Sequence, residues 1–284
     1  MVKLNRRAVQ VITAIGINSN FIGFINGTTY KGWFKNFCFP GLNCSSCPGA
    51  FGACPLALLQ AGISGIINSH FTFFIFGFLA FIGLTIGRFP CGWFCPFGLI
   101  QELIYKLPSP KIGLQEKLKR LELIKYLILV VFVLLLPALA AFGTNSTAFC
   151  KYICPVEVLE ASIPLMISRP SIISTLGTLF YLKLFFLIVI VLLSVFIFKP
   201  FCRFFCPLGA IYSLFNSISL YRFQVDKDKC SKCGQCQENC KMGIPVYKEP
   251  NNRECMRCNE CLVCEAGALH VKRYKKQTEE DVTL

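Results

Sequence analysis

Residues 91–98 read CGWFCPFG, and residues 202–209 read CRFFCPLG. Each stretch follows a long apolar run, spaces two cysteines one helical turn apart, and places a proline directly after the second cysteine. A third copy of this Cys-x3-Cys-Pro pattern, CKYICP, occupies residues 150–155. Proline suits the first turn of a helix, where its missing N–H would have no partner. Each copy therefore predicts the start of a new short helix, and the repetition indicates a set of ligands.

The first and last copies indicate a tandem duplication, in which each half ends with Cys-x3-Cys-Pro-x-Gly. Side chains at positions i and i+4 of a helical turn point to the same side. The two halves would therefore bring four thiols together, here named the repeat set: Cys91, Cys95, Cys202 and Cys206. Four cysteines suit a tetrahedral zinc ion or one [4Fe-4S] cluster. One pair alone could be buried simply as small apolar side chains, but the convergence of four disfavours that alternative.

Hydrophobic residues make up 54% of the 284 residues and aromatic residues 14%, which is typical of an integral membrane protein. Four apolar stretches are long enough to cross a hydrocarbon layer of about 30 Å at a rise of about 1.5 Å per residue. They lie at Ala8–Gly27, Ile66–Gly87, Leu121–Phe142 and Leu176–Phe198. The first stretch follows Lys3, Arg6 and Arg7 and could instead belong to a signal peptide, which would leave three spans.

Basic residues concentrate before the first stretch, between the second and third, and after the fourth. Because basic residues stay on the cytoplasmic side, we expect both termini and segment 88–120 inside, and segments 28–65 and 143–175 outside. The formal charge of +14 follows from this topology, with anionic lipid or an acidic partner as further interpretations. Nucleic acid fits poorly, because no basic helix or aromatic stacking platform accompanies the charge.

Hydropathy falls after Tyr221, and two cysteine-rich runs follow, CSKCGQCQENC at 230–240 and CMRCNECLVC at 255–264. The first run has the bacterial ferredoxin spacing, and in two-cluster ferredoxins the fourth cysteine of each run ligates the other cluster. We therefore predict a first tail set of Cys230, Cys233, Cys236 and Cys264, and a second tail set of Cys255, Cys258, Cys261 and Cys240. C-x2-C pairs also build zinc sites, but cysteine triplets favour iron-sulfur clusters. Lys241 and Glu265 replace the usual proline, and the second run closes one residue short.

These patterns together predict a membrane all-α fold. Four transmembrane helices would form two tandem two-helix halves, with short interfacial helices after the Cys-Pro motifs. A small C-terminal α+β domain of the two-cluster ferredoxin type would follow. The predicted domains are residues 1–110, 111–221 and 222–275, with a polar tail at 276–284. The predicted location is the cytoplasmic membrane, with several passes and both termini in the cytoplasm.

Six further cysteines, here named the loop cysteines, lie in the two segments predicted outside: Cys38, Cys44, Cys47, Cys54, Cys150 and Cys154. By analogy with the repeat set, Cys150 and Cys154 would join two cysteines of the first segment around another cluster. Cys47 and Cys54 are the preferred partners because proline follows both. Cys38 and Cys44 could then form a disulfide or serve as further ligands. The alternative is that all six loop cysteines form disulfides.

The chain contains only two histidines, His70 and His270, which excludes a bis-histidine b haem within the chain. We interpret His70 as a hydrogen-bonded residue of the second stretch, although an intramembrane histidine could also serve a quinone or a proton site. His270 is expected at the surface. Walker, G-x-S-x-G and H-E-x-x-H patterns are absent from the sequence. No catalytic residue is predicted, and the protein is at most a component of an oxidoreductase system.

The Cys-x3-Cys-Pro elements at Cys91, Cys150 and Cys202, followed by the two tail runs, resemble the membrane-bound polyferredoxins of the NapH and NosR type. The resemblance extends from the first apolar stretch to about Lys275. It implies a four-span protein with [4Fe-4S] clusters: two in the tail, one at the inner membrane face and a further possible one at the outer face. Such a protein would carry electrons between a cytoplasmic donor (ferredoxin, flavoprotein) or quinol and an extracytoplasmic acceptor. The dense first loop, GLNCSSCPGAFGACP, departs from the simplest family pattern.

Two other functions fit the cysteine pattern. The chain could reduce or hand on copper for a membrane oxidoreductase, because thiolates also bind Cu(I). It could also be a redox sensor or an anchoring subunit, although a sensor would not need ligand sites on both faces. Clusters held at two membrane surfaces about 30 Å apart would be too distant for one efficient electron hop. We therefore expect either that the clusters sink into the protein or that a further carrier intervenes.

Overall fold

The computed structural model describes residues 5–30, 32, 35, 37–65, 69–111, 120–140, 147–175 and 177–271. Helices dominate this part of the chain. Its α-helices span Arg6–Ile17, Phe21–Asn26, Pro55–Ile63, Ser69–Ile86, Phe89–Trp93, Pro96–Ile104, Ile124–Ile128, Leu136–Ala140, Ala148–Tyr152, Pro155–Glu157, Ile163–Ser168, Thr178–Phe196, Pro207–Phe215 and Gln235–Glu238. Its π-helical segments span Leu129–Leu135, Val158–Ser162 and Phe201–Phe205, and a 3-10 helix spans Pro170–Thr175.

Four of these helices, here named the Cys-Pro helices, begin with a cysteine at the N-cap and a proline in the first turn. Their N-cap residues are Cys54, Cys95, Cys154 and Cys206. Each N-cap cysteine has an extended backbone, with ψ between 112° and 128°. Residues before proline avoid the helical region, and the fixed φ of proline favours the first helical position. The local sequence therefore dictates the same chain reversal four times, including at Cys54, where no Cys-x3-Cys pair is present.

The residue after each proline is buried in one apolar core. These residues are Leu56, Phe97, Val156 and Leu208. The same core contains cysteines of both the repeat set and the loop cysteines, among them Cys54, Cys95 and Cys206. Because burial of apolar surface is the main stabilising term of such a core, the starts of all four Cys-Pro helices are held against one another.

The tail packs on this core through a second apolar cluster. Its two strands, Phe223–Val225 and Leu269–Val271, pair antiparallel and close the segment that carries both cysteine runs. Phe223 and Met256 of the tail pack there with Phe198 and with Cys202 of the repeat set. The tail therefore lies directly against the repeat set.

The prediction of four membrane-spanning helices is wrong. Among the described residues, one helix, Thr178–Phe196, is long and apolar enough to cross a membrane. The second and third predicted spans contain shorter apolar helices, His70–Ile86 and Ile124–Leu139. Residues 66–68, 141–142 and 176 of the predicted spans lie outside the described residues.

The first predicted span is divided into two short helices with polar contacts. Arg6–Ile17 ends at Asn18, whose amide donates to Ala14 O and Asn43 Oδ1, and the second helix ends at Gly27 in the left-handed conformation. Arg6 and Gln10 are buried and donate to Gly92 O at 3.2 and 2.8 Å. This polar face anchors the helix to the protein, which explains why apolar composition alone overestimated the span.

Candidate metal centres

The structure brings the four cysteines of the repeat set together in the core. The Cys95 and Cys202 thiols hydrogen-bond to each other, and all four cysteines of the set are buried. The Gly98 N–H donates to Cys95 Sγ at 3.3 Å, and the Gly209 N–H donates to Cys206 Sγ at 3.4 Å. Both glycines lie three residues after the N-cap cysteine of their helix. The duplicated sequence therefore produces duplicated N–H···S bonds.

Two buried cations lie beside the repeat set. Arg88 Nη2 donates to Cys202 O at 3.1 Å, and Lys199 Nζ donates to Cys91 O at 3.3 Å. The pKa of Cys202 is lowered mainly by the hydrogen bond with Cys95, although burial opposes this shift. Smaller contributions in the same direction come from Lys199, Gln101 and Arg88. Burial raises the pKa of Cys91. The site therefore combines thiols with the positive charge that a thiolate-bound metal group requires.

The loop cysteines form a second buried group, with one difference from the prediction. Cys44, Cys54, Cys150 and Cys154 line a cavity, here named the loop cavity. Cys47, the predicted partner, is buried outside this lining, and its sulfur accepts from the Gly49 and Ala50 N–H groups. The Cys44 N–H donates to Glu160 Oε2 at 2.7 Å, which holds the first loop against the helix of the second.

The structure forms no disulfide between the loop cysteines, and the disulfide alternative stays a prediction. All 18 cysteines of the chain are free thiols in the structure, including Cys38 and Cys44. Cys38 is buried in an isolated backbone bridge with Ala53. The ligand roles of Cys38 and Cys47 stay predictions.

The tail cysteines line two separate cavities in the predicted grouping. The first cavity is lined by the first tail set, Cys230, Cys233, Cys236 and Cys264. The second cavity is lined by the second tail set, Cys240, Cys255, Cys258 and Cys261. The fourth cysteine of each run thus faces the cavity of the other run.

Both tail runs curl through left-handed residues on either side of their second cysteine. Lys232 and Gly234 flank Cys233 with φ of 57° and 81°, and Arg257 and Asn259 flank Cys258 with φ of 51° and 65°. Left-handed backbone is costly for residues other than glycine. Such a conformation at matching positions in both runs indicates that the loops are shaped to surround a bound group.

These four cysteine groups fit [4Fe-4S] clusters. Three cavities are each lined by four thiols, and the repeat set adds backbone donors and buried cations around its sulfurs. Four cysteine thiolates are the usual ligands of such a cluster. In the part of the chain that the structure describes, no group of three or more His, Cys, Asp or Glu side chains is arranged to hold a metal ion, so the fit to clusters rests on the donor chemistry of the four cysteine groups.

The sequence analysis missed the polar residues around the sulfurs. Gln60 and Gln101 donate to Cys150 Sγ and Cys202 Sγ, and Glu160 accepts from Cys44 N–H. Only the glutamines have a sequence signal, since each lies six residues after the N-cap cysteine of its helix, in CPLALLQ and CPFGLIQ. His70 and His270 are both exposed.

The family model described as a 4Fe-4S binding domain matches this chain at residues 69–115, 126–159 and 179–224. Each matched segment contains one Cys-x3-Cys-Pro element. The fold and the site thus define an iron-sulfur protein of the ferredoxin type.

Curated relatives agree with this class. An uncharacterized protein of Methanocaldococcus jannaschii is 32% identical over 72% of this chain and 70% of its own length. The putative electron transport protein YccM of Escherichia coli is 28% identical over 64% of this chain and 49% of its own. The ferredoxin-type protein NapH of Haemophilus influenzae is 25% identical over 61% of this chain and 58% of its own. No solved structure matches the chain. The chain belongs to the family of ferredoxin-type 4Fe-4S proteins that includes NapH and NosR.

Proposed function

We propose that this protein is a membrane-associated electron carrier that takes electrons from a cytoplasmic donor or from quinol and passes them to an extracytoplasmic acceptor. The observation that carries the proposal is the placement of four cysteine groups in one continuous packed body. A [4Fe-4S] cluster, when bound, supplies one-electron exchange at a potential that hydrogen bonds, charge and exposure adjust. The chain supplies the ligands, the spacing and the insulation.

The contact between the tail and the repeat set supports this proposal. The Trp93 indole donates to Arg257 O at 3.0 Å, and Met256 O lies 2.5 Å from the position that a side chain on Gly92 would occupy. Gly92 and Trp93 lie between Cys91 and Cys95, while Met256 and Arg257 lie between Cys255 and Cys258. The ligand segments of two centres are therefore in direct contact.

The repeat set and the loop cavity are also neighbours. Leu42 O lies 3.9 Å from Cys95 Sγ, and the Tyr212 hydroxyl donates to Pro40 O at 3.0 Å. Burial is the main cause that raises the pKa of Cys206, and the Cys54 thiol raises it further. A cysteine of the loop cavity therefore lies close to a cysteine of the repeat set. This proximity favours centres that sink into one core, so that no further carrier within the chain is required between these two groups.

The first tail set is the best placed to receive electrons. Cys233 is exposed, whereas every cysteine of the repeat set is buried. Lys227, Lys229 and Lys232 are exposed next to this set. Asp228 and Glu238 are exposed beside these lysines, so we propose that a ferredoxin or flavoprotein docks on this mixed surface through complementary charges.

The helix Thr178–Phe196 supports membrane association. Four large apolar residues lie exposed on it at helical spacing: Leu182, Phe185, Ile188 and Leu192. Water would penalise such a surface, whereas lipid would not. The helix carries Lys183, which pairs with Glu157 of the loop cavity at 2.7 Å. Cys202 of the repeat set follows shortly after the end of the helix. Membrane lipid is therefore a proposed partner.

The test is the iron and acid-labile sulfide content of anaerobically purified protein, with EPR during graded reduction. Four clusters would give about sixteen irons per chain, and a double variant with Cys150→Ser and Cys154→Ser should lose about four of them. An unchanged iron content in that variant would contradict a cluster in the loop cavity. Iron absent from the parent protein would contradict the function as a whole.

A further inference from the structure

Two buried glutamines occupy equivalent positions beside two cysteine groups of the core, Gln101 at the repeat set and Gln60 at the loop cavity. Gln101 Nε2 donates to Cys202 Sγ at 3.3 Å, while its Oε1 accepts from the Phe201 N–H at 3.0 Å. Gln60 Nε2 donates to Cys150 Sγ at 3.6 Å, while its Oε1 accepts from the Phe149 N–H at 2.9 Å. Each amide thus binds both a cysteine sulfur and the backbone of the residue just before that cysteine.

The equivalence extends to the helix that carries each glutamine. Gln60 donates to Leu56 O at 3.1 Å, and Gln101 donates to Phe97 O at 3.3 Å, in both cases four residues back. Leu56 and Phe97 directly follow the Cys-Pro start of their helices. One Cys-Pro helix therefore positions one amide, and that amide crosses to the cysteine pair of another segment.

The partners fix the orientation of both amides. A backbone N–H can only donate, so the amide oxygen must face Phe149 in the case of Gln60 and Phe201 in the case of Gln101. The nitrogen then faces the backbone carbonyl and the sulfur, both of which accept. The hydrogen bond to sulfur therefore follows from the backbone geometry, and a rotated amide would lose these contacts.

We propose that Gln60 and Gln101 are positioning residues that set the reduction potentials of the loop-cavity and repeat-set clusters through one N–H···S bond each. The inference rests on the proposed function in one respect, namely that these two cysteine groups hold clusters. A donor to a ligand sulfur stabilises the more negative, reduced state, so each glutamine raises the potential of its own cluster. Gln101 makes the shorter bond and should have the larger effect.

The test is an EPR-monitored redox titration of the full-length protein and of the variants Gln101→Met and Gln60→Met. Methionine has a similar length but has no N–H, so each variant should lower one midpoint potential and leave the others unchanged. Gln101→Glu keeps an acceptor for the Phe201 N–H but offers the sulfur no N–H donor and adds negative charge. It should lower the same potential further. Gln224→Met, at an exposed strand position, is the matched control and should change none.

Iron and sulfide content measured on the same samples separates two claims, namely that the cysteine groups hold clusters and that the glutamines set the potentials of those clusters. An unchanged potential in variants that retain their iron would overturn the role of the glutamines while leaving the proposed function intact. If Gln101→Met fails to retain its cluster, Gln101→Glu provides the same test. If the EPR signal assigned to the repeat set persists in a Cys202→Ser, Cys206→Ser variant, these cysteines do not hold that cluster. The proposed function is then contradicted at this site, and not only the role of Gln101.

Discussion

In two of the Cys-Pro helices the N-cap cysteine accepts a hydrogen bond in the way that serine or aspartate does at ordinary helix starts. Cys95 and Cys206 accept from the glycine N–H three residues on. The same donors hold a thiolate, because an N–H aimed at sulfur favours its charged form. A single residue thus ends one segment, starts the next helix and offers a metal ligand.

Gly92 gives a sharp residue-scale prediction. In a helix, Gly→Ala ordinarily stabilises by about 1 kcal/mol, and Gly77→Ala should do so because no atom lies within 4 Å of its added Cβ. At Gly92 the added Cβ would meet Met256 O at 2.5 Å. We expect Gly92→Ala to destabilise by about 1–3 kcal/mol, measured by thermal unfolding. Equal effects of the two substitutions would contradict the close contact of the tail.

Cys44 and Cys47 give a second prediction at this scale. Because Cys44 lines the loop cavity and Cys47 does not, Cys44→Ser should remove the iron held there, about four atoms per chain. Cys47→Ser is the matched control and should retain that iron. The measurement is iron content together with the EPR signal of this centre. The opposite result would restore Cys47 as the ligand, as its following proline suggested.

At the scale of elements, buried ion pairs join the tail to the core. Arg88 Nη1 and Glu254 Oε2 lie 2.6 Å apart, and Lys125 pairs with the same carboxylate. Arg88 and Lys125 are fully buried. Glu254 directly precedes Cys255. One carboxylate of the tail therefore pairs with two cations of the helical part.

Glu254→Gln tests this connection. Removing one partner of a buried ion pair leaves charge uncompensated and typically costs about 3–5 kcal/mol. We expect a loss of that size in unfolding experiments, together with faster proteolysis of the tail. Lys229→Ala breaks the exposed pair with Asp226, at 3.5 Å, and should leave the stability nearly unchanged, because water screens such a pair. A Glu254 variant as stable as the Lys229 variant would show that the tail does not depend on this contact.

At the scale of the whole molecule, the exposed apolar face of Thr178–Phe196 predicts the location of the protein. Phe185 is 68% exposed near the middle of this helix. A lysine at the centre of a membrane helix costs about 3 kcal/mol on insertion scales. Phe185→Lys should therefore reduce the fraction of protein that stays in the membrane pellet after a carbonate wash.

Leu220→Lys is the control for that experiment. Leu220 is 62% exposed but lies outside the membrane-length helix. This variant should partition like the parent protein. If Phe185→Lys also partitions normally, the apolar face of the helix is covered by protein and not by lipid.

The sequence alone determined the chemistry of this protein. Cysteine type, spacing and the following prolines are local properties, so they predicted the starts of the Cys-Pro helices and the iron-sulfur class. The ferredoxin spacing also predicted which tail cysteines share a cavity, because short runs constrain where their sulfurs can lie. The domain limits and the polar tail stay predictions, and residues 276–284 lie outside the described part.

Only the tertiary structure decided the arrangement of these elements. Apolar composition suggested four spans, but it does not record buried polar contacts such as Gln10 to Gly92 O, which join a helix to protein. Proline after cysteine favoured Cys47, whereas Cys44 lines the loop cavity and its N–H donates to Glu160, a residue more than a hundred positions away. Spacing fixes what a local segment can bind, whereas the packing of distant segments fixes which thiols meet and which donors face them.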